Sequence, residues 1–237
     1  MNVAIAPAEP ASSVSARRTS GLPWPALLGP QAPADAAELD KIALVRSLPA
    51  GATVLRRGTA ARALVVLLDG QVGCGWAQPG RPLVTDRLLT GPVWLGLAAP
   101  FARGQHGCDA IAQSSVRVAE LPIDPLRAAL VRHPVLAVRF TETMAREVIR
   151  LDARLHELMH KDAAARLATW ITTQAADRPQ PVLRLASRKR DIASQLGMTP
   201  ETLSRMMRNL SERGLIAVEG YTVRVLDPTA LQGLAGP

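Results

Sequence analysis

Arg190-Asp191-Ile192-Ala193-Ser194-Gln195-Leu196-Gly197-Met198-Thr199-Pro200-Glu201-Thr202-Leu203-Ser204-Arg205-Met206-Met207-Arg208 is the stretch whose reading decides the fold. It lays out two short amphipathic helices around a tight turn. Ile192, Ala193 and Leu196 supply the inner face of the first helix, and the small Ala193 lets the second helix cross close by. Gly197 stands at the turn, where the backbone needs positive φ. Thr199 is placed to cap the next helix, and Pro200 fits its first turn because the amide it lacks would be unpaired there. Leu203, Met207 and Leu210 follow at steps of four and three and face inward. The same period gathers Glu201, Ser204, Arg205 and Arg208 on the outward face. An acid, a hydroxyl and two guanidinium groups on an exposed helix are the chemistry that reads base edges in a major groove. The competing reading is an ordinary helical hairpin with solvated charges. Against it stands the combination of Gly197, Ala193 and both inner faces.

The flanking sequence extends this unit. Leu215 to Val225 holds two short β runs around Glu219-Gly220, the pattern of a hairpin wing, which places Tyr221, Thr222 and Arg224 beside a phosphate backbone. Tyr221 serves equally well as a packing residue. Upstream, Leu136, Phe140, Met144, Val148, Leu151, Leu155 and Leu158 recur at steps of three and four. They predict a continuous helical stripe that settles toward a coiled-coil seam. A helix of this length spans about 39 Å, more than a small domain needs to cover its own core. Dimerisation is therefore expected along the stripe, with packing against the chain's own β unit as the alternative.

From Leu48 to Pro122 short β runs are broken by Gly and Pro. Thr53 to Leu55, Leu64 to Leu68, Gln71 to Trp76, Leu83 to Leu89, Val93 to Leu95 and Ala110 to Leu121 read as strands. Asp69-Gly70 between two of them reads as a hairpin turn. The expectation is an all-β barrel, sandwich or roll, closed by a short helix over Pro125 to Arg132. Residues 1–35, rich in Ala, Pro and Ser with no apolar period, are expected to be a disordered tail. The predicted layout is tail 1–35, β unit 36–132, long helix 133–160 and C-terminal domain 161–237.

Composition narrows the partner. Twenty-eight Lys and Arg against 20 Asp and Glu leave a net charge of +8, which favours a polyanion. Residues 161–227 hold eleven basic and seven acidic side chains, so half of that surplus lies on the motif. Only seven aromatic residues (four Trp, two Phe, one Tyr) argue against base-stacking single-strand platforms. Duplex is the better match. No apolar run approaches the ~18 residues of a membrane span, and Pro23, Pro25 and Pro30 interrupt the patch after Arg17-Arg18, against a secretory or twin-arginine signal. The expected location is the cytoplasm, with Cys74 and Cys108 as free thiols.

The order of β roll, long helix and winged helix-turn-helix, with the string Glu201-Thr202-Leu203-Ser204-Arg205, resembles the Crp/Fnr family of bacterial transcription regulators from about residue 36 to 227. The resemblance implies an α+β fold: a cyclic-nucleotide-binding-like β roll, a dimerisation helix and a C-terminal winged helix-turn-helix. It further implies a homodimer without enzymatic activity that reads palindromic double-stranded DNA and meets RNA polymerase. Glu201, Ser204 and Arg205 are the base-reading residues it implies, on the Fnr pattern. Thr199, Thr202, Arg208, Tyr221 and Arg224 are placed on the DNA backbone. The catabolite-activator branch usually carries an Arg just before the Glu, where this chain has Pro200.

The sensory half departs from the family. Cyclic-AMP-binding members hold their nucleotide with a Gly-Glu pair and a later Arg-Ser pair. Here the corresponding stretches are Gly96-Leu97 and Gln105-His106-Gly107-Cys108-Asp109, with no Arg to neutralise a phosphate, which argues against cyclic AMP. The iron-sulfur members carry an N-terminal cysteine cluster, and residues 1–35 contain no Cys. Haem, used by some members to sense gases, stays open, with His106, His133, His156, His160, Cys74 and Cys108 as candidate ligands. Among them only His156 and His160 share a ligand spacing, and a solvated helix face explains that pair as well. Cys108 as a redox thiol is set against a buried structural thiol, because Arg103 is its one electropositive neighbour in sequence. The effector is unassigned. Two rival functions are an adaptor that turns its winged helix to protein partners and a cupin-like metal enzyme. The enzyme would need several His inside the β unit, where residues 36–130 hold only His106.

Overall fold

The computed structural model describes residues 21–29, 34–77, 83–175, 182–185 and 188–236. Helix α1 (Trp24–Leu28) and a 3-10 helix (Ala34–Lys41) lead into strands β1 (Leu44–Leu48), β2 (Thr53–Leu55), β3 (Ala63–Asp69), β4 (Gln71–Trp76), β5 (Val84–Thr90) and β6 (Val93–Leu95). Helix α2 (Ala98–Phe101), β7 (Asp109–Ala112), β8 (Val116–Pro122) and α3 (Ile123–Arg132) complete this half. The long helix α4 (Pro134–His160) follows, then α5 (Ala163–Ala175), β9 (Val182–Arg184), α6 (Lys189–Gln195), α7 (Pro200–Glu212), β10 (Ile216–Glu219), β11 (Thr222–Val225) and α8 (Pro228–Ala235).

The first half is a roll of two antiparallel four-stranded sheets, ordered β1-β8-β3-β6 and β2-β7-β4-β5. Strand β3 is apolar on both faces because it serves two cores. Val65 and Leu67 pack with Val72, Cys74, Ala110 and Val118 from both sheets, while Leu64 and Val66 join Leu121, Leu126, Leu136 and Phe140 beneath the helices. The Asp69-Gly70 turn is present, with Gly70 at φ +87°, and a Cβ there would lie 2.4 Å from the Ser115 carbonyl. It does not form the expected hairpin. Strand β3 pairs with β6 and β8, and β4 pairs with β5 and β7, so the turn carries the chain from one sheet to the other. The run Ala110 to Leu121 likewise divides into two strands in different sheets.

The tail expected through residue 35 begins to pack earlier. Leu22, Trp24, Leu27 and Leu28 are buried in the core under the helices. Pro23 and Pro25, read as breakers, stand at the N-cap and in the first turn of α1, where proline removes no helical hydrogen bond. Asp40 fixes the segment by accepting from the Trp24 indole N–H at 2.8 Å and the Gly21 amide at 2.7 Å. The remainder of that tail, residues 1–20 and 30–33, lies outside the described residues.

The long helix is present but its stripe is not one seam. Leu136 and Phe140 are buried in the roll, where Phe140 meets the rings of Trp94 and Phe101 at 5.4 and 6.0 Å, and Met144 packs at the edge. Beyond it Val148, Ile149, Leu151, Leu155, Leu158 and Met159 are exposed. The first half of the helix thus closes the chain's own core, and the second half carries apolar side chains left exposed among the described residues, with Leu158 alone reaching Gly197 of the C-terminal unit.

Candidate nucleic-acid interface

The C-terminal unit has its own core of Leu167, Ile171, Ile192, Ala193, Leu196, Leu203, Met207, Leu210, Ile216, Val223 and Leu231. Both inner faces read from the sequence meet in it. Gly197 adopts φ +62° at the turn. The Thr199 hydroxyl oxygen accepts from the Thr202 amide at 3.2 Å, and Pro200 opens α7.

The opposite face of α7 is the candidate reading surface. Glu201, Ser204 and Arg205 line one open depression with Pro200 and Arg208. All are exposed, and Arg205 and Arg208 form no hydrogen bond or ion pair among the described residues. The Glu201 carboxylate is held below its usual range by hydrogen bonds from its own backbone N–H and from the Thr199 hydroxyl. It is therefore an obligate acceptor at neutral pH. Thr202 is half-buried, its hydroxyl within 3.1 Å of Thr199 Oγ1, so both threonines belong to the cap as well as to the surface.

The wing forms as read, with Ile216 to Glu219 paired to Val225 to Thr222 around Gly220-Tyr221. Sequence reading missed its third strand, β9, which pairs with β11 on the other side. Tyr221 is exposed rather than packed, and Arg224 is exposed beside it. A second omission is Arg166. Arg166 Nε donates to the Leu196 carbonyl at 2.9 Å and Nη1 to the Lys161 carbonyl at 2.6 Å, tying the link after α4 to the end of α6. No local signal marks that role, because the Leu196 carbonyl lies 30 residues away in sequence. Arg188, Lys189 and Arg190, exposed at the start of α6, extend the positive edge.

In the roll, Leu97 is buried hydrocarbon where cyclic-AMP-binding members of the family place a ribose-binding carboxylate, and Gly107 offers no side chain. These residues do not fit that nucleotide. His106 Nδ1 is buried with no hydrogen-bond partner among the described residues, and burial holds its imidazole below the usual value. His156 and His160 stack at 5.6 Å on the exposed side of α4, with Asp152 3.8 Å from His156. Among the described residues no group of three or more His, Cys, Asp or Glu converges on a point able to hold a metal. Cys108 does have an electropositive neighbour, which is Arg87 on β5 rather than Arg103.

A double-sheet roll, a long connecting helix and a winged helix-turn-helix with an exposed polar reading face define the architecture of transcription regulators that join a sensor to a DNA-binding domain. Residues 45–133 match the cyclic nucleotide-binding domain and residues 165–234 the Crp-like helix-turn-helix domain. The chain is similar to the transcriptional activator protein Anr of Pseudomonas protegens, at 32% identity over 137 residues, 55% of this chain and 56% of that protein. It thus spans about half the length of Anr. It is also similar to the fumarate and nitrate reduction regulatory protein of Salmonella typhimurium, at 27% identity over 193 residues, covering 78% and 76% of the two chains. In fold it is similar to FixK2 from Bradyrhizobium japonicum, with a TM-score of 0.66 and 20% identity over 83% of this chain and 98% of that one. The chain belongs to the Crp/Fnr family of bacterial transcription regulators.

Proposed function

We propose that the protein acts as a cytoplasmic homodimer that regulates transcription by reading a palindromic duplex site through the major groove. The observation that carries this reading is the division of α7: Leu203, Met207 and Leu210 are buried, and Glu201, Ser204, Arg205 and Arg208 share the open face. Arg205 can donate to guanine O6 and N7, and Glu201 can accept from cytosine N4. Ser204 lies between them. Thr199, Thr202, Arg208, Tyr221 and Arg224 supply phosphate contacts that fix the register without reading sequence.

Dimerisation follows from the uncovered apolar side of α4 between Val148 and Met159. Two such helices side by side would set their reading helices in successive major grooves, with half-sites about 34 Å apart. RNA polymerase is the partner through which bound protein would alter transcription. No helix among the described residues is long and apolar enough to cross a membrane.

Binding to duplex fragments across a salt series tests the reading, since phosphate neutralisation makes log K fall linearly with log salt. A steep negative slope is expected. Absence of binding at low salt would contradict it and favour a winged helix that contacts protein instead.

A further inference from the structure

Strands β4, β5 and β7 bring three reactive groups together in the roll. In the register of β4 with β7, Cys74 faces Ala110 and Gly75 faces Asp109, so Cys108 lies two positions along from the partner of Cys74. Residues two apart share a face of the sheet, which makes the two cysteines diagonal neighbours. Cys108 packs against the buried cluster that holds Cys74, between the two sheets. On the other side of β4, Arg87 pairs with Cys74, and its Nη2 reaches 3.9 Å from the Cys108 sulfur. The other charge facing this cluster is Asp86, whose carboxylate lies 3.5 Å from Arg87 Nε and is itself exposed.

The two sulfurs are unequal. Cys74 is 3% exposed, whereas Cys108 sits half-buried in the bend before β7. The neighbouring Cys74 side chain holds the Cys108 thiol below its ordinary value against the effect of burial, and the Arg87 charge acts in the same direction. The same proximity, with burial, holds the Cys74 thiol above its own. Greater exposure and the adjacent Arg87 guanidinium make Cys108 the nucleophile, with the buried Cys74 as its partner. A partly exposed thiolate beside a cation, with a second thiol close by, is the arrangement of an oxidation-sensitive cysteine and its resolving partner.

We propose that Cys74 and Cys108 form a dithiol that is oxidised to an intramolecular disulfide by a hydroperoxide. The Cys108 sulfur attacks the terminal peroxide oxygen, the O–O bond breaks, and the leaving hydroxide or alkoxide takes a proton from solvent. Cys108 becomes a sulfenic acid. The Cys74 sulfur then attacks the Cys108 sulfur, the S–S bond forms, the S–O bond breaks, and the hydroxyl departs as water with the Cys74 proton. Two thiols lose two electrons in all, and the peroxide is reduced to water and water or an alcohol. Diagonal neighbours stand about 7–8 Å apart at Cα in a regular sheet, slightly beyond the usual disulfide span. Closing the bond would therefore draw the bend at Cys108 toward β4. The chemistry is independent of DNA binding.

The test treats the reduced full-length protein with hydrogen peroxide, alkylates remaining thiols and maps the peptides by mass spectrometry. The expected product links the Cys74 and Cys108 peptides within one chain and is reversed by dithiothreitol. Cys74→Ser should stop at a Cys108 sulfenic acid trapped by dimedone. Arg87→Ala should slow Cys108 oxidation several-fold at neutral pH and converge on the wild-type rate in alkali. Wild-type protein with both cysteines still alkylated, with only sulfinic acid on Cys108, or with disulfides between chains would overturn the proposal, and none of these readings depends on a variant folding.

Discussion

Arg154 on the long helix donates from Nη2 to the main-chain carbonyl of Gln195 at 2.6 Å, across 41 residues of sequence. Gln195 ends α6, where helical carbonyls have no partner further along the helix and carry the negative end of its dipole. A guanidinium there is doubly suited. Arg166 treats the next carbonyl, Leu196, in the same way. Together they orient the first helix of the helix-turn-helix on the end of α4.

Arg166→Ala is expected to loosen this joint. It removes charge-assisted hydrogen bonds to the Lys161 and Leu196 carbonyls, each of a kind worth about 1.5–3 kcal/mol. Hydrogen exchange should show the amides of α6 and the Gly197 turn losing protection while those of the roll keep theirs. Uniform loss across both halves, or no loss at all, would show that the joint does not act this way.

The uncovered side of α4 predicts a specific oligomer. Val148 and Leu155 are 65% and 54% exposed in the protomer and seven residues apart, on one side of the helix. Val148→Asp with Leu155→Asp should convert a dimer to a folded monomer in sedimentation velocity. The roll should be untouched, because Leu136 and Phe140, which do serve its core, are unchanged. A wild-type monomer at micromolar concentration would remove the basis for a two-fold site.

Asp109 gives the roll an acid-sensitive contact. Its buried carboxylate accepts from the Ala77 amide at 2.9 Å and the Arg57 amide at 3.0 Å. Burial alone would raise the carboxyl, but these two bonds and the charges of Arg57 and Arg56 hold it below its usual range. Because the folded value lies below the unfolded one, about 3.9, the contribution is full above that pH. It is lost as pH falls through the folded value. Asp109→Asn, which leaves a donor facing an N–H, should cost about 1–3 kcal/mol at neutral pH. The gap to wild type should close in acid. Thermal unfolding at pH 7 and pH 3 measures both, and a gap that widens in acid would mean that the carboxyl is raised rather than lowered by folding.

Much of the C-terminal unit was legible in the sequence because its signals are local. Gly197 with Ala193, the Thr199-Pro200 start and the four-three spacing of Leu203, Met207 and Leu210 each act within one or two turns. The wing was readable for the same reason. What was missed depends on long-range register. Arg87 reaches Cys108 only because β4 stands between β5 and β7, and nothing near either residue announces it. Asp69-Gly70 was a correct turn with the wrong partners, since a turn fixes local chain direction and not which sheet receives the next strand. Trp24 was missed because flanking prolines were read only as breakers. In the long helix, spacing identified the apolar positions but could not say that Phe140 and Leu155 face different partners.

The most direct test of the central claim is selection of bound sequences from a random duplex pool by wild-type protein and by Arg205→Ala in parallel. Wild type should enrich an inverted repeat whose half-sites lie about one helical turn apart, with one G·C pair critical in each. Arg205→Ala should lose preference at that pair and about 1–3 kcal/mol of affinity, whereas Arg224→Ala should weaken all sequences alike. If Arg205→Ala returned the wild-type repeat at full strength, Arg205 would not be reading the site and the account of α7 would be wrong.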